Sequence, residues 1–322
     1  MIGIRDVACY LPEGKLHSAE LQTRLGFKPG FLENKVGVET RRIAAADEST
    51  SDMAVHAFER LRERYPQEDF GDVGLALLCT QNPDYKMPHT ASVVGHRIGL
   101  PKNMLSFDIS LACSGYVSTV VTAKALMTEL GVRKALVFTA DPYSKIIKPN
   151  DKNTIALFGD AASVSVLEAD GPLRICKSTF GNDGSKYQAA IVRGSGTARQ
   201  NGEMEQFELD GRGIYELLKT EAPPSIRACA TMNGLTLDEI DLFLFHQASA
   251  WLLLGLREDL GLSEERVPSN IKHVGNTVSS SIPLLLDQVL HNGGPLPRII
   301  LMSGFGAGLA WASVVLRTDA RQ

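Results

Sequence analysis

Several familiar signals are missing from this sequence, and each absence excludes a class of protein. No apolar run reaches the roughly 18 residues that a membrane-spanning helix needs. The N-terminus has no basic region followed by a long apolar stretch and a cleavage site, so we expect no signal peptide. The 33 basic and 37 acidic residues lack the positive excess of general nucleic-acid binders. We therefore expect a cytoplasmic protein that engages neither nucleic acid nor a membrane.

The cysteines show none of the spacings that metal or redox motifs use. The five of them are odd in number, widely scattered and without a C-x-x-C pair: Cys9, Cys79, Cys113, Cys176 and Cys229. This arrangement predicts free thiols in a reducing compartment and no metal site.

The remaining composition is that of a folded α/β protein. Of the 322 residues, 44% are hydrophobic and 22% charged, which are ordinary globular values. Strand-like and helical segments alternate, for example a strand over 73–80, a helix over 113–131 and a strand over 134–141. This series predicts a mostly parallel, covered sheet. The order of elements also suggests a duplication into two halves, 1–170 and 171–322.

Three local predictions follow from capping and breaking signals. Ser51 is expected to cap a helix over 51–65. The helical pattern after Gly213 is expected to be interrupted near Pro223 and Pro224. A short strand is expected over 270–274.

Cys113 is the first candidate for chemistry. It follows an apolar strand at the point where a helix starts, and its neighbours Ala112, Ser114 and Gly115 allow a crowded turn. A thiolate in that position is stabilised by the helix dipole and by free N–H groups. The alternative interpretation is a buried structural cysteine, which is common.

Three later features are also candidates, each with a simpler alternative. His246 ends the apolar strand 241–246, where α/β sheets place their sites, although a core histidine fits equally. Asn276 stands at a turn into a helix and could simply cap it. The glycines of 302–311 permit close approach to a ligand, or only a turn.

The order Cys, His, Asn and glycine-rich turn is more specific than any one of these features. The motifs are RRIAA (41–45), LACSGY (111–116), FGDAAS (158–163), HQA (246–248), GNT (275–277) and GFGAGLAW (304–311). Through them the chain resembles the beta-ketoacyl-acyl carrier protein synthase III family of the thiolase-like superfamily, over essentially its whole length. The resemblance implies a thiolase-like duplicated αβαβα five-layer fold. It also implies a homodimer that pairs the strand around 104–110 across its two-fold axis.

The resemblance implies an acyltransferase of fatty acid biosynthesis. Cys113 would take the acyl group from an acyl-CoA, with the backbone N–H groups of Cys113 and Ala307 as the oxyanion hole. His246 and Asn276 would then stabilise the enolate formed from a malonyl thioester, which the family carries on acyl carrier protein. The coenzyme A thioester is the substrate, and no metal or redox cofactor is implied.

The resemblance also implies binding residues, some of which depart from the family pattern. The coenzyme A site would include Phe31, Lys35, Lys152, Gly211, Tyr215 and Ser249, and the acyl pocket would include Met87 and Phe305. The family commonly has Trp and Arg where Phe31 and Lys35 stand, and a second Arg in place of Lys152. Met87 is expected to reach into the pocket of a partner subunit.

A larger departure follows His246. Where the family has a helix with cations that dock acidic carrier protein, this chain has Trp251, Glu258 and Asp259, and Ser249 replaces an Asn. A mixed or acidic face slows encounter with an acidic partner. One alternative is therefore a specialised acyltransferase of secondary metabolism that uses another acceptor. A non-catalytic partner subunit is a second alternative.

Two other enzyme classes fit less well. Papain-like cysteine hydrolases also run Cys, His, Asn, but their Cys lies near the mature N-terminus and not deep in a βαβ series. Hydroxymethylglutaryl-coenzyme A synthases share the superfamily but use a Glu near the segment 80–89, which contains none here.

Overall fold

The computed structural model describes residues 1–199 and 204–318. The helices are α1 (Ser18–Leu25), α2 (Thr50–Arg64), α3 (Thr90–Arg97), α4 (Gly115–Leu130), α5 (Lys152–Ile155), α6 (Gly211–Met232), α7 (Ala250–Leu260), α8 (Ile271–Val274) and α9 (Ser281–His291). The strands are β1 (Ile2–Tyr10), β2 (Gly14–His17), β3 (Thr40–Ile43), β4 (Leu75–Cys79), β5 (Leu105–Ile109), β6 (Lys134–Ala140), β7 (Ala162–Ala169), β8 (Leu173–Asn182), β9 (Ala190–Arg193), β10 (Gln206–Leu209), β11 (Leu242–Phe245), β12 (Ile299–Gly306) and β13 (Ala310–Thr318). In this part of the chain, no helix has the length and apolarity needed to cross a membrane.

The main sheet consists of two parts that meet at one short junction. The strand order is β11-β12-β13-β8-β1-β7-β6-β4-β5. At its middle, β1 and β8 pair only through Gly3 with Arg174 and Ile4 with Leu173. The first part, β5-β4-β6-β7-β1, therefore belongs to the N-terminal half, and the second part, β8-β13-β12-β11, to the C-terminal half. The predicted division after residue 170 falls in the turn between β7 and β8 and stays a prediction.

Helices cover both parts of the sheet and produce the predicted five-layer αβαβα fold. Helices α2 and α3 pack on the first part, and α6 packs on the second and against α7. Helices α4 and α9 lie between the two parts, since each contacts strands of both halves. Three large buried hydrophobic clusters fill the spaces between these layers. The central helix α4 is mostly apolar because it is buried on both sides.

The prediction of a mostly parallel sheet is wrong. Only β4 with β5, β4 with β6 and β11 with β12 pair in parallel within the described residues, and the other pairings of the sheet are antiparallel. The connections explain the difference. A three-residue turn joins β12 to β13, and such a short link permits only antiparallel neighbours.

Two of the three local predictions fail because tertiary packing decides the structure. Helix α6 continues through Pro223 and Pro224, and its packing on β8, β12 and β13 compensates for the two missing N–H donors. The segment predicted as a strand over 270–274 forms the short helix α8, which buries Ile271 and Val274 on one side. Such a short apolar run does not distinguish strand from helix.

The predicted cap of α2 is also wrong, by two residues. Ser49 and not Ser51 is the N-cap. Its hydroxyl accepts from the backbone N–H of Asp52 at 3.1 Å, and the Asp52 carboxylate accepts from the backbone N–H of Ser49 at 2.7 Å. This reciprocal capping box requires an acidic residue three positions after the cap.

A buried arginine, Arg41, joins the two-stranded sheet of β2 and β3 to Ala156, the residue that follows α5. Arg41 on β3 is fully buried. Its Nε donates to the Ala156 carbonyl at 2.9 Å, and a terminal nitrogen donates to Ser18 Oγ at 2.9 Å. Burial lowers the pKa of Arg41 to about 10, so the guanidinium is charged at neutral pH.

Replacing Arg41 is expected to destabilise the fold. Arg41→Met leaves the Ala156 carbonyl and the Ser18 hydroxyl without their donor, which costs roughly 1–3 kcal/mol per buried group. Arg60→Met is the matched control, because Arg60 is exposed on α2 and pairs with exposed Glu63; it should change stability by less than about 0.5 kcal/mol. Urea unfolding measures both, and equal stability of the two variants would contradict this role of Arg41.

Candidate active site

The three residues predicted to be catalytic lie together around one cavity. Cys113, His246 and Asn276 line a cavity of about 90 Å³. They come together there although Cys113 belongs to the first half of the sequence and the other two residues to the second half. Ala307 and Phe305, also predicted site residues, line the same cavity. His246 and Asn276 are almost completely buried.

Cys113 sits between β5 and α4, where β12 of the other half passes very close. A Cβ atom on Gly306 would lie 2.7 Å from Cys113 Cβ and 2.9 Å from its Sγ. A Cβ atom on Gly304 would lie 2.5 Å from the Cys113 carbonyl oxygen. Both positions therefore require glycine. Because β12 passes so close to Cys113, the backbone N–H of Ala307, which follows Gly306, reaches the Cys113 sulphur.

The electrostatic environment of Cys113 differs from the expectation of a stabilised thiolate. Burial, and next the negative charge of Asp141, raise the pKa of the Cys113 thiol to about 12. Hydrogen bonds from the backbone N–H groups of Ala307 and Cys113 itself act in the opposite direction and lower this pKa. Helix α4 begins two residues later, at Gly115. Desolvation therefore outweighs the N–H donors, and the free protein holds Cys113 as a thiol at neutral pH.

His246 is neutral for the same reason. Burial lowers the pKa of the imidazole to about 3. Its Nδ1 lies 2.7 Å from Ser281 Oγ at the start of α9. The ring of Phe305 stands edge-on to the imidazole, with 5.8 Å between the ring centroids. Ser281 and Phe305 thus fix the orientation of a ring that carries no charge.

The amide of Asn276 is oriented by its own turn. Its Oδ1 accepts from the backbone N–H of Val278 at 2.9 Å, and its Nδ2 lies 3.4 Å from the Ala248 carbonyl. The backbone N–H of Asn276 donates to Leu157, and the N–H of Gly159 donates to the Asn276 carbonyl. These bonds tie the turn to the N-terminal half and leave Nδ2 as a donor at the cavity.

A buried carboxyl beside the site was not predicted from the sequence. Asp141 follows β6, and burial raises the pKa of its carboxyl to about 7. It accepts from the backbone N–H of Gln81 at 2.8 Å and from Ser279 Oγ at 2.5 Å. Asp141 therefore links the N-terminal half to the segment that follows Asn276.

The predicted coenzyme A residues form two aromatic–cation groups on the surface. Lys35 Nζ lies 4.8 Å from the centre of the Trp251 ring, and Trp251 stacks on Tyr215 with 4.9 Å between centroids. In the second group, Lys152 Nζ lies 5.5 Å from the centre of the Phe27 ring, and Phe27 stacks on Phe31. The lysines are thus engaged with aromatic faces. Trp251 belongs to this arrangement, which the sequence did not indicate.

The other predicted binding residues lie in different surroundings. Gly211 lines the Cys113 cavity. Ser249 is buried and caps α7 by accepting from the backbone N–H of Leu252 at 3.2 Å. Met87 is 83% exposed and is not among the residues that line the Cys113 cavity of its own chain. Its predicted contact with a partner's pocket, like the coenzyme A contacts, stays a prediction.

Sequence reasoning missed the aromatic side of the cavity. Tyr143, Phe158 and Phe207 line it and pack on one another. Phe158 belongs to a motif that was recognised, but nothing in the spacing of the other two indicates their role. In residues 1–199 and 204–318, no group of three or more His, Cys, Asp or Glu side chains is arranged to hold a metal ion.

The close approach of Gly306 to Cys113 gives a direct test of this geometry. Gly306→Ala would displace the Cys113 side chain from the Ala307 N–H, so acylation of Cys113 should fall by about 100-fold, as when an oxyanion-hole donor is lost. Gly184→Ala is the control, because no atom lies within 4 Å of its added Cβ. Rapid-quench mass spectrometry with an acyl-CoA gives the rates, and wild-type acylation by the Gly306 variant would contradict the assignment.

Comparisons with known proteins agree with this geometry. The family model for 3-oxoacyl-[acyl-carrier-protein (ACP)] synthase III matches residues 107–184, and the model for its C-terminal part matches residues 230–318. The beta-ketoacyl-[acyl-carrier-protein] synthase III of Streptococcus equi subsp. zooepidemicus is 32% identical over 322 residues, which cover 98% of both chains.

Solved structures give the same result. A crystal structure of a 3-oxoacyl-(acyl-carrier-protein) synthase III is 32% identical, with a TM-score of 0.92, and the match covers 98% of this chain and 99% of that one. The priming beta-ketosynthase of the R1128 polyketide pathway is 27% identical, with a TM-score of 0.90 over 99% of this chain and 97% of its own. The chain therefore belongs to the beta-ketoacyl-[acyl-carrier-protein] synthase III family of acyltransferases, with a thiolase-like fold.

Proposed function

We propose that this enzyme condenses an acyl group held on Cys113 with a malonyl thioester and releases a 3-oxoacyl thioester. The observation that carries the proposal is that Cys113, His246 and Asn276 line one cavity. Malonyl-acyl carrier protein is the proposed second substrate, as the names of the relatives indicate, and fatty acid biosynthesis is the proposed context. The likeness to the family supports a cytoplasmic enzyme for which the coenzyme A thioester is a substrate and not a cofactor.

In the first half-reaction, Cys113 exchanges one thioester for another. Its sulphur bonds to the acyl carbon of an acyl-CoA, the carbon–sulphur bond to coenzyme A breaks, and the departing thiolate receives the Cys113 proton. Negative charge collects on the acyl oxygen in between, where the N–H groups of Cys113 and Ala307 stabilise it. Because the acyl-enzyme is uncharged, the cavity that disfavours a thiolate tolerates it well.

In the second half-reaction, the malonyl group loses carbon dioxide. The bond between its carboxylate and its central carbon breaks, and the electron pair forms an enolate. His246 Nε2 and Asn276 Nδ2 donate to the enolate oxygen. For Nε2 of a neutral imidazole to carry the hydrogen, the Ser281 hydroxyl must turn its own hydrogen from the Val278 carbonyl to Nδ1. The enolate carbon attacks the acyl carbon, the bond from that carbon to the Cys113 sulphur breaks, and the released thiolate takes a proton from solvent. A neutral imidazole suits this role, since it donates without adding a charge that needs solvation.

The surface around α7 supports a second candidate, a specialised acyltransferase with an acceptor other than acyl carrier protein. Trp251 and Leu254 are exposed on α7, and Glu258 and Asp259 follow on the same helix. Arg257 already pairs with Glu264 at 2.9 Å. Lys35 and Lys219 lie over the Trp251 and Tyr215 rings beside Glu258 and Asp259. The face is therefore of mixed charge, which favours a small malonyl thioester over an acidic carrier protein.

A homodimer is part of the proposal. Strand β5 is the last strand of the sheet, and Leu105 at its start is 42% exposed. An edge strand with unpaired backbone groups and an exposed apolar residue is suited to pairing with a second copy.

Acylation of Cys113 tests the proposed function directly. The protein is incubated with a panel of acyl-CoAs and its intact mass is measured. Wild type should gain one acyl group, and Cys113→Ala should gain none while it keeps the same thermal unfolding, because the substitution is small. An adduct on the Ala variant at the wild-type level would refute the assignment, and the absence of any wild-type adduct would favour the non-catalytic subunit.

His246 and Asn276 should act mainly after acylation. His246→Ala should slow condensation by about 100-fold or more, with a much smaller effect on acyl transfer to Cys113. Asn276→Asp is the matched variant, because its carboxylate can still accept from the Val278 N–H but no longer donates to the enolate. Both half-reactions are timed separately by mass spectrometry. Equal losses in the two half-reactions would instead identify His246 as a base for the thiol.

Charge reversal on α7 distinguishes the two candidate acceptors. Glu258→Lys with Asp259→Lys should speed turnover with malonyl-acyl carrier protein, and added salt should reduce the gain. Glu59→Lys with Glu63→Lys makes the same change on α2, in the outer layer of the other half, and should have a smaller effect. The measurement is kcat/KM for malonyl on carrier protein and on coenzyme A. Strong preference for the carrier protein, unaffected by the α7 reversal, would refute this docking surface.

A further inference from the structure

One residue, Val278, contacts the groups that orient both enolate donors. Its backbone N–H donates to Asn276 Oδ1 at 2.9 Å. Its carbonyl oxygen lies 2.9 Å from Ser281 Oγ, and that hydroxyl oxygen lies 2.7 Å from His246 Nδ1. The orientation of the Asn276 amide and of the His246 imidazole therefore depends on one stretch of backbone, residues 276–281, which we call the donor turn.

The backbone of Val278 adopts a conformation that its side chain disfavours. Its φ is +53°, in the left-handed region. Residues with an L side chain rarely adopt this region, and a β-branched residue there is a true outlier. Such a conformation persists only where the surrounding contacts enforce it. The contacts that hold the donor turn are therefore part of what places the two donors.

Two buried serines attach the donor turn to the N-terminal half. Ser280 Oγ donates to the Ala161 carbonyl at 3.0 Å. Ser279 Oγ donates to the carboxyl of Asp141 at 2.5 Å, and both of these side chains are fully buried. A hydrogen bond to an ionised carboxyl is roughly twice as strong as one between neutral groups. The bond from Ser279 to Asp141 is therefore the stronger of the two attachments.

Asp141 is itself fixed from two neighbouring strands. It follows β6, which pairs in parallel with β4. Just after β4, the backbone N–H of Gln81 donates to Asp141 Oδ1 at 2.8 Å, and Thr80 Oγ1 lies 3.4 Å from the same oxygen. Asp141 is not among the residues that line the Cys113 cavity. Its contribution to the reaction therefore passes through other groups.

We propose that Asp141 is a positioning residue for condensation. Through Ser279 it holds Val278 in the left-handed conformation, in which the donor turn directs both enolate donors to the cavity. The inference rests on the proposed function and adds to it a residue that does not touch the substrate. Acyl transfer to Cys113 relies on the oxyanion hole and not on the donor turn. Loss of the bond between Asp141 and Ser279 should therefore slow the second half-reaction selectively.

The kinetic test compares Ser279→Ala with Asp141→Asn at pH 8, where a carboxyl with a pKa of about 7 is mostly ionised. Ser279→Ala should slow condensation by roughly 10-fold to 100-fold, the equivalent of one hydrogen bond to a charged group, with a much smaller effect on acylation. Asp141→Asn keeps a carbonyl oxygen for the Gln81 N–H and gains an amide that can donate to Ser279 Oγ. Its condensation rate should therefore stay close to that of wild type.

Ser225→Ala is the matched control for loss of a buried serine bond. Ser225 Oγ lies 3.0 Å from Thr179 Oγ1 in the outer layer of the C-terminal half, so both half-reactions should keep their wild-type rates. Condensation is timed by mass spectrometry from the isolated acyl-enzyme, and acylation is timed separately. If Asp141 acted only through its negative charge, which raises the pKa of the Cys113 thiol, Ser279→Ala would condense at the wild-type rate. That result, or equal losses in the two half-reactions, would overturn the proposal.

Hydrogen exchange separates failure of this inference from failure of the proposed function. Exchange of the backbone N–H groups of the donor turn, followed by peptide mass spectrometry, reports how firmly the turn is held without any catalysis. Ser279→Ala should speed this exchange by a factor similar to its loss in condensation, whereas Asp141→Asn and Ser225→Ala should not. If wild type takes an acyl group but forms no 3-oxoacyl product, the proposed function fails, and exchange decides whether Asp141 holds the turn. Unchanged exchange in Ser279→Ala would overturn the inference whatever the kinetics show.

Discussion

Desolvation of the ionisable groups around the Cys113 cavity is the constraint on which the site depends. Burial raises the pKa of the Cys113 thiol to about 12 and lowers that of His246 to about 3. Both groups are therefore neutral at physiological pH. Charge that develops during the reaction must be stabilised by fixed hydrogen-bond donors, which are most effective where water is absent.

The duplicated fold forms this cavity by bringing the two halves into close backbone contact. Gly304 and Gly306 let β12 of the second half approach Cys113 of the first half within van der Waals distance. The turn of Asn276 is bound in return to Leu157 and Gly159 of the first half. Neither half alone contains the cysteine together with the histidine and asparagine, so the site exists only where the halves meet.

The sequence predicted the parts of this structure that are carried by short motifs. Cys113, His246 and Asn276 each belong to a distinctive local pattern, and the structure brings them together. Long-range contacts were not predictable in this way. The continuous path of α6 depends on packing against distant strands, and Tyr143 meets Phe207 only because β10 folds back over the turn after β6. The protonation of Cys113 depends on burial, which a helix-terminus signal does not report.

The most direct measurement of the central claim is the pH dependence of Cys113 alkylation. Iodoacetamide reacts with the thiolate, and peptide mass spectrometry can follow the Cys113 adduct apart from the other four cysteines. With a thiol pKa of about 12, the rate should rise about tenfold per pH unit up to at least about pH 10, without a plateau. A plateau at or below about pH 8 would show that the N–H donors outweigh desolvation, and it would contradict the account of a neutral, dehydrated site.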